Sequence, residues 1–412
     1  MLRIVAAANR RAVRALLAPE RTRDTATERR VAKIIRAVRD RGDAALTDFA
    51  RRFDALDEPV EITRDEMRSA AAGVPSEVRD ALRSAARNIR AVASRQVPRG
   101  WRARIEAGVT VEQRVLPLDR VGCYVPAGRY PLPSSLLMTA IPASTAGVRD
   151  IVVACPRPAP VIMAAALEAR VTRMFRVGGA HAIAALAYGT ETVPRVDKIV
   201  GPGNRYVAAA KALVAADCGI DFYAGPTEIV IVSARGPAEW VAADLIAQAE
   251  HDPDARAVLI TPSRALARRV ARIVADRVAD AGPAPDALRG HGGIIVTSSL
   301  ADAMELANSS APEHLVVDDE RLAAAVRCAG SVFVGSWSAQ AAGDYAIGSN
   351  HVLPTAGAAR VRGGLSAADF VRQITVRRLT ERGLRRIGRT AITLAGAEGL
   401  HAHAASIGIR MK

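Results

Sequence analysis

Apolar residues recur at helical spacing, with charges between them, along the first hundred residues. Ala45, Leu46 and Phe49 precede Phe53 in this way. The pattern predicts a helical N-terminal segment over 1–115, with a loop near Pro98 and Gly100. Met1 to Arg21 is rich in arginine and free of acids until Glu20, which superficially suits a transit peptide. The same stretch reads more simply as an amphipathic surface helix carrying Leu2, Val5, Val13 and Leu16.

From Arg120 the rhythm changes. Short apolar runs end in glycine or proline and alternate with helical stretches. Val121–Val125, Ile151–Ala154, Met174–Val177 and Lys198–Val200 read as strands, with helices over 134–146, 161–170, 181–188 and 205–216. A second run follows, with strands at Glu228–Val232, Ala257–Ile260, Gly293–Val296, Leu315–Val317 and Ser331–Val334. Its helices include Trp240–Glu250 and Leu266–Val278. Strands alternating with helices imply parallel sheets covered on both faces. The expected class is α/β, with two incomplete Rossmann-like parallel-sheet domains over 116–226 and 227–342. The last residues, 343–412, read as a small C-terminal tail. It holds a Gly/Asn/Pro-rich loop over 343–355, a β-like stretch at 369–379 and a helix at 385–405. This tail is too small for an independent core and is expected to pack on the main body or on another subunit.

Composition changes this picture little. The chain has 412 residues, is 50% apolar and carries a net charge of +15. Only four residues are lysine, so the charge is almost all arginine, spread along the whole chain with alanine. No basic block interleaved with aromatics appears, which argues against nucleic-acid binding. No uninterrupted apolar stretch reaches the ~18 residues of a membrane helix. Cys123, Cys155, Cys218 and Cys328 form no paired motif, so a reducing, cytoplasmic setting is expected.

Several polar clusters could carry chemistry. Gln248 and His251, three apart near a helix end, both offer neutral donor atoms to a metal. The same spacing suits an amphipathic helix ending in a polar turn before Pro253. Glu313 and His314 adjoin a strand start and could share acid–base work, or form a solvated turn. A strand's carboxyl end is the usual ligand crevice of an open α/β sheet. Asp344 and His351 sit in a glycine-rich loop, either functional or merely exposed. Glu398, His401 and His403 stand near the C-terminus and could complete a site across a subunit boundary, or form a charged tail. Gly178-Gly179 and Gly201-Pro202-Gly203-Asn204 each lie between strand and helix, where backbone N–H groups favour an anion. Neither is a dinucleotide fingerprint.

Taken together and in order, these segments resemble the histidinol dehydrogenase family across roughly residues 20–408. The resemblance rests on VGCYVPAGRYPLPSSLLMTAIPASTAGV, RVGGAHAIAALAYGTETVPRVDKIVGPGNRYVAAAK, DFYAGPTEIVIV, DLIAQAEHDPDA, APEHL, GDYAIGSNHVLPT, GGLSAADF and EGLHAH. It implies a zinc-dependent, NAD-linked, four-electron oxidation of L-histidinol to L-histidine through a bound aldehyde. It implies a homodimer with exchanged tails. Matched by motif, the zinc ligands would be Gln248, His251, Asp344 and His403, the last from the neighbouring subunit. His314 would be the general base and Glu313 would activate water. Thr227, His351 and Glu398 would contact substrate beside the ligand residues and His314. Tyr124, His181 and Asn204 would contact NAD.

Three departures stand out. His181 replaces the family's frequent Gln, Thr227 its frequent Ser, and Pro126-Ala127-Gly128 its frequent Pro-Gly-Gly. Related enzymes act on other alcohols, including sulfonated diols. A sulfonate should need a cation where Glu398 stands, so Glu398 and His351 favour histidinol. A binding-only homologue would hold zinc but reduce no NAD.

Overall fold

The computed structural model describes residues 2–18, 24–127, 130–223, 225–279 and 281–412. Gly128 and the ends of the Met1–Arg21 stretch lie outside these. Among the described residues there are two six-stranded sheets and one of three strands.

The first sheet runs Glu61–Ile62, Arg173–Phe175, Asp150–Ala154, Arg120–Tyr124, Lys198–Val200, Gly219–Ile220. Only its first pair is antiparallel. The central strands are apolar throughout because helices cover both faces. Helix Thr25–Asp54 packs with helices Gly179–Tyr188 and Arg205–Val214 on one face. Helices Ser76–Gln96, Pro133–Thr145 and Pro160–Glu168 cover the other.

The second sheet is wholly parallel, in the order Arg3–Ala6, Gly293–Val296, Arg256–Thr261, Glu228–Val232, His314–Val317, Ser331–Val334. Its first strand corrects two expectations. The 1–115 segment is not helical throughout, and the amphipathic helix is only Arg10–Leu17, burying Val13, Leu16 and Leu17. Four residues of strand leave too short an alternation to stand out in an Arg/Ala-rich stretch. Leu16 lies over Gly293, where a Cβ would come 2.7 Å from its side chain.

The segment's other end is also extended. Trp101–Glu106 and Val109–Pro117 form an antiparallel hairpin turning at Gly108, whose φ is +83°. The third strand of that sheet is Val371–Leu379, which pairs Val109–Pro117 along nine residues. The tail therefore docks by its strand on the body of its own chain. Its terminal helix is two, Glu381–Ala397 and His401–Gly408, separated at Gly399 with φ +74°. No helix among the described residues is long and apolar enough to cross a membrane.

The two large sheets meet in opposite senses. The carboxyl ends of Arg120–Tyr124 and Lys198–Val200 and the amino ends of Glu228–Val232 and His314–Val317 border one cavity. The connection from Val200 is the Gly201–Gly203 turn. Gly201 has φ +116°, and a Cβ there would fall 2.2 Å from the Tyr124 carbonyl oxygen. Gly201→Ala should therefore destabilise the chain by about 2–4 kcal/mol, from left-handed strain plus overpacking against backbone. Denaturant unfolding of the two proteins measures the difference.

Candidate active site

The cavity between the sheets has a volume of about 360 Å³. Thr227, Gln248, His251, Glu313, His314, Asp344 and His351 all line it. With Asn204, which also lines it, eight of the expected residues converge from six segments.

Glu313 precedes strand His314–Val317 and is buried. Its Oε2 accepts from Thr227 Oγ1 at 2.6 Å and from the Glu228 N–H at 2.8 Å. Burial nevertheless dominates and pushes its carboxyl up to about 8, against those two stabilising donors. The Thr227 hydroxyl accepts in turn from Gln248 Nε2 at 2.5 Å. The amide's NH2 is committed inward, and Gln248 Oε1 is left buried without a hydrogen-bond partner.

His314 is oriented by the neighbouring strand. Its Nδ1 lies 3.2 Å from the Glu228 carbonyl oxygen, which can only accept. That bond fixes the proton on Nδ1 and leaves Nε2 as a free base. Burial holds the imidazole below its ordinary pKa, with Asp344 opposing. Nε2 stands 3.9 Å from Asp344 Oδ1. Glu313 and His314 sit at the amino end of strand His314–Val317, not at the carboxyl end where a ligand crevice is usually sought.

Asp344 belongs to helix Gln340–Tyr345, not to a loop. Gly343 ahead of it misled the reading, but a glycine is tolerated within a turn of helix. Gln340, one turn earlier, donates to Asp344 Oδ2 at 3.0 Å and leaves Oδ1 on the cavity side. Helix Ala238–Ala249 ends before His251, since Pro253 cannot continue it. A turn bond from the His251 N–H to the Gln248 carbonyl at 3.4 Å keeps the two together. His251 Nδ1 bonds the Ala247 carbonyl at 3.1 Å, which leaves its Nε2 free. His351 bonds the Asp344 carbonyl through Nδ1 at 2.9 Å, and its Nε2 lies 3.4 Å from Ser135 Oγ. Burial lowers its pKa as well.

Glu398, His401 and His403 are exposed on the tail and do not line the cavity. Among the described residues, no group of three or more His, Cys, Asp or Glu is placed to hold a metal ion. Yet the donor set fits one in part. Gln248 Oε1 lacks a partner, and His251 and Asp344 each tie up one side-chain atom or ring nitrogen and keep another for the cavity. Three such neutral and oxygen donors are one short of a tetrahedral zinc shell.

The expected cofactor residues adjoin the first sheet. Asn204 lines the cavity, and its Oδ1 caps helix Arg205–Val214 by accepting from the Tyr206 and Val207 N–H groups at 3.0 and 3.2 Å. Tyr124 is buried, and its hydroxyl accepts from the Gly179 N–H at 3.1 Å. His181 is buried and bonds Asp54. Sequence reasoning missed Asp54, Ser135, Gln340 and the Lys211–Asp221 ion pair. That pair grips the Gly201 carbonyl at 2.9 Å and its N–H at 2.8 Å. Ser135 carried only a weak signal, as one of several Ser and Thr residues in helix Pro133–Thr145. Gln340 carried another, its spacing of four from Asp344.

Comparison with known proteins gives the chain a family and a shared fold. The family model for histidinol dehydrogenase matches residues 18–411. The chain is 45% identical over 396 residues to the histidinol dehydrogenase of Methanothermobacter thermautotrophicus, covering 93% of each. It is 45% identical to that of Methylococcus capsulatus over 413 residues, 96% of this chain and 94% of the other. The crystal structure of histidinol dehydrogenase from Elizabethkingia anophelis superposes with a TM-score of 0.94 at 31% identity. That match covers 100% of this chain and 98% of the other.

The raised pKa of Glu313 has a consequence for stability. Between the ordinary value of 4.5 and about 8, the folded chain holds a proton that the unfolded chain has released. Stability therefore falls as pH rises through that window. Glu313→Gln removes the group, so the metal-free variant should exceed the metal-free wild type in stability at pH 8. The expected gain is about 3–4 kcal/mol, on the scale of ~1.4 kcal/mol per pH unit. At pH 5 the two should agree, and denaturant unfolding at both pH values checks it.

Proposed function

The chain belongs to the histidinol dehydrogenase family and is an NAD-dependent oxidoreductase, and from that premise we propose how its residues divide the reaction. The substrate is L-histidinol, oxidised in four electrons through a bound aldehyde to L-histidine. The observation that carries this reading is the pairing of two bases. His314 offers a free Nε2, and Glu313 titrates near 8 only one residue away.

Residues of the cavity take successive tasks. His314 Nε2 accepts the hydroxyl proton of the alcohol, and its depressed pKa keeps it neutral and ready. Glu313, held by Thr227 and the Glu228 N–H, accepts a proton from the water that adds to the aldehyde. The gem-diol so formed loses the second hydride to NAD, and its hydroxyl proton passes to His314 once that residue has released the first proton to solvent. His351 borders the same space as a substrate contact. The enclosing walls keep the aldehyde from escape between steps.

Gln248, His251 and Asp344 would hold zinc, which supplies positioning of the substrate's imidazole and amine rather than an activated water. Tyr124, His181 and Asn204 mark the place for NAD, which supplies the hydride acceptor for both oxidations. The fourth metal ligand, His403, and the ammonium contact, Glu398, come from a second copy of the chain in a tail-exchanged homodimer. Their exposure on the tail and their absence from the lining of their own chain's cavity support this. Four free cysteines, three of them buried, suit a cytoplasmic enzyme.

Titrating the zinc-loaded protein with limiting L-histidinol tests the assignment. Two NADH per histidinol are expected, lost with a chelator and restored by zinc. Glu313→Gln should stop near one NADH per histidinol, because the aldehyde forms but is not hydrated. His314→Asn should lower kcat about 10³-fold, in the range of a lost general base. A wild-type protein that binds zinc and forms no NADH contradicts the reading.

A further inference from the structure

We propose that Asp54 is a positioning residue of the cofactor half of the site, acting through His181 and the Gly178–Gly179 turn. The proposal rests on the reading above that Tyr124 and His181 adjoin NAD.

Asp54 is the last residue of helix Thr25–Asp54 and is buried at 8% exposure. Ala55 follows in the left-handed region, at φ 55°, and turns the chain away. The helix end therefore delivers one carboxylate into the first domain's core, where a charge needs partners. Both partners lie on one turn. Asp54 Oδ2 accepts from the Gly178 N–H at 2.9 Å and meets His181 Nε2 at 2.8 Å. The turn opens helix Gly179–Tyr188, whose positive end favours an anion.

Two consequences follow for the cofactor. Gly178–Gly179 has the form of a phosphate loop, yet its anion is supplied by the chain itself. Phosphates are left to the Gly201–Asn204 loop, which lines the cavity. The orientation of Tyr124 also depends on the turn, because its hydroxyl accepts from the Gly179 N–H at 3.1 Å. The rings of Phe49 and Phe53 flank His181 at 6.0 and 6.1 Å between centroids. They leave Asp54 to set the imidazole's hydrogen bonding. Histidine at 181 donates to a carboxylate carried by another helix, so its placement is set by residue 54 as much as by its own helix.

The test compares wild type, Asp54→Ala and Asp54→Asn as full-length, zinc-loaded proteins. NADH affinity is read by fluorescence, zinc affinity by chelator competition, and KM for NAD separately from kcat. Asp54→Ala should weaken NADH at least tenfold and raise KM for NAD in step. Zinc affinity and KM for histidinol should stay within twofold. Asp54→Asn keeps one acceptor oxygen and should weaken NADH about threefold. If Asp54→Ala does not fold, that threefold change decides the matter. Unchanged NADH affinity in a folded variant overturns the proposal, as does an equal loss of NADH and zinc affinity. A wild-type protein that binds no NADH overturns the cofactor reading itself and the proposal with it.

Discussion

Glu313 is held across two parallel strands by one oxygen, and the site is arranged around that grip. Its Oε2 takes the Thr227 hydroxyl and the Glu228 N–H, both from the amino end of the adjacent strand. The Glu228 carbonyl meanwhile sets the His314 tautomer. The backbone of one residue, Glu228, therefore holds both candidate bases. The same hydroxyl turns Gln248 so that its carbonyl oxygen faces the cavity. Glu313 and the proposed metal donor Gln248 share the Thr227 hydroxyl, so a change there reaches both.

This arrangement requires the two sheets to oppose each other. The first presents the carboxyl ends of its strands, the usual place for a dinucleotide. The second presents amino ends, where backbone N–H groups stabilise a carboxylate. The proposed bases and Asn204, a proposed NAD contact, then line one cavity from the two sheets. Helix Thr25–Asp54 braces the first domain's side of this meeting by carrying Asp54 to the turn at Gly178.

Much of this was legible in the sequence. Strands Glu228–Val232 and Gly293–Val296 agree with their apolar runs to the residue, because buried parallel strands bounded by turns leave little else to read. The strands at Arg3–Ala6 and 101–117 were not legible. They are edge or half-exposed, so their apolar positions are sparse among arginines. At the site, motif residues were readable, but their supports were not. Asp54 and the Lys211–Asp221 pair act through distant backbone, and no local spacing records that. The opposed sense of the sheets was also invisible, so the place of Glu313 and His314 at a strand start gave no sign of a ligand crevice.

The central claim is that one chain supplies three donors and a second copy supplies His403. Mixing two inactive variants tests it directly. His251→Ala and His403→Ala proteins are unfolded together, refolded as a one-to-one mixture and assayed with L-histidinol and NAD. Random pairing makes half the dimers mixed, each with one intact site, so about a quarter of wild-type activity should return. A mixture that stays as inactive as either variant alone would mean that each chain closes its own site, and would contradict the account.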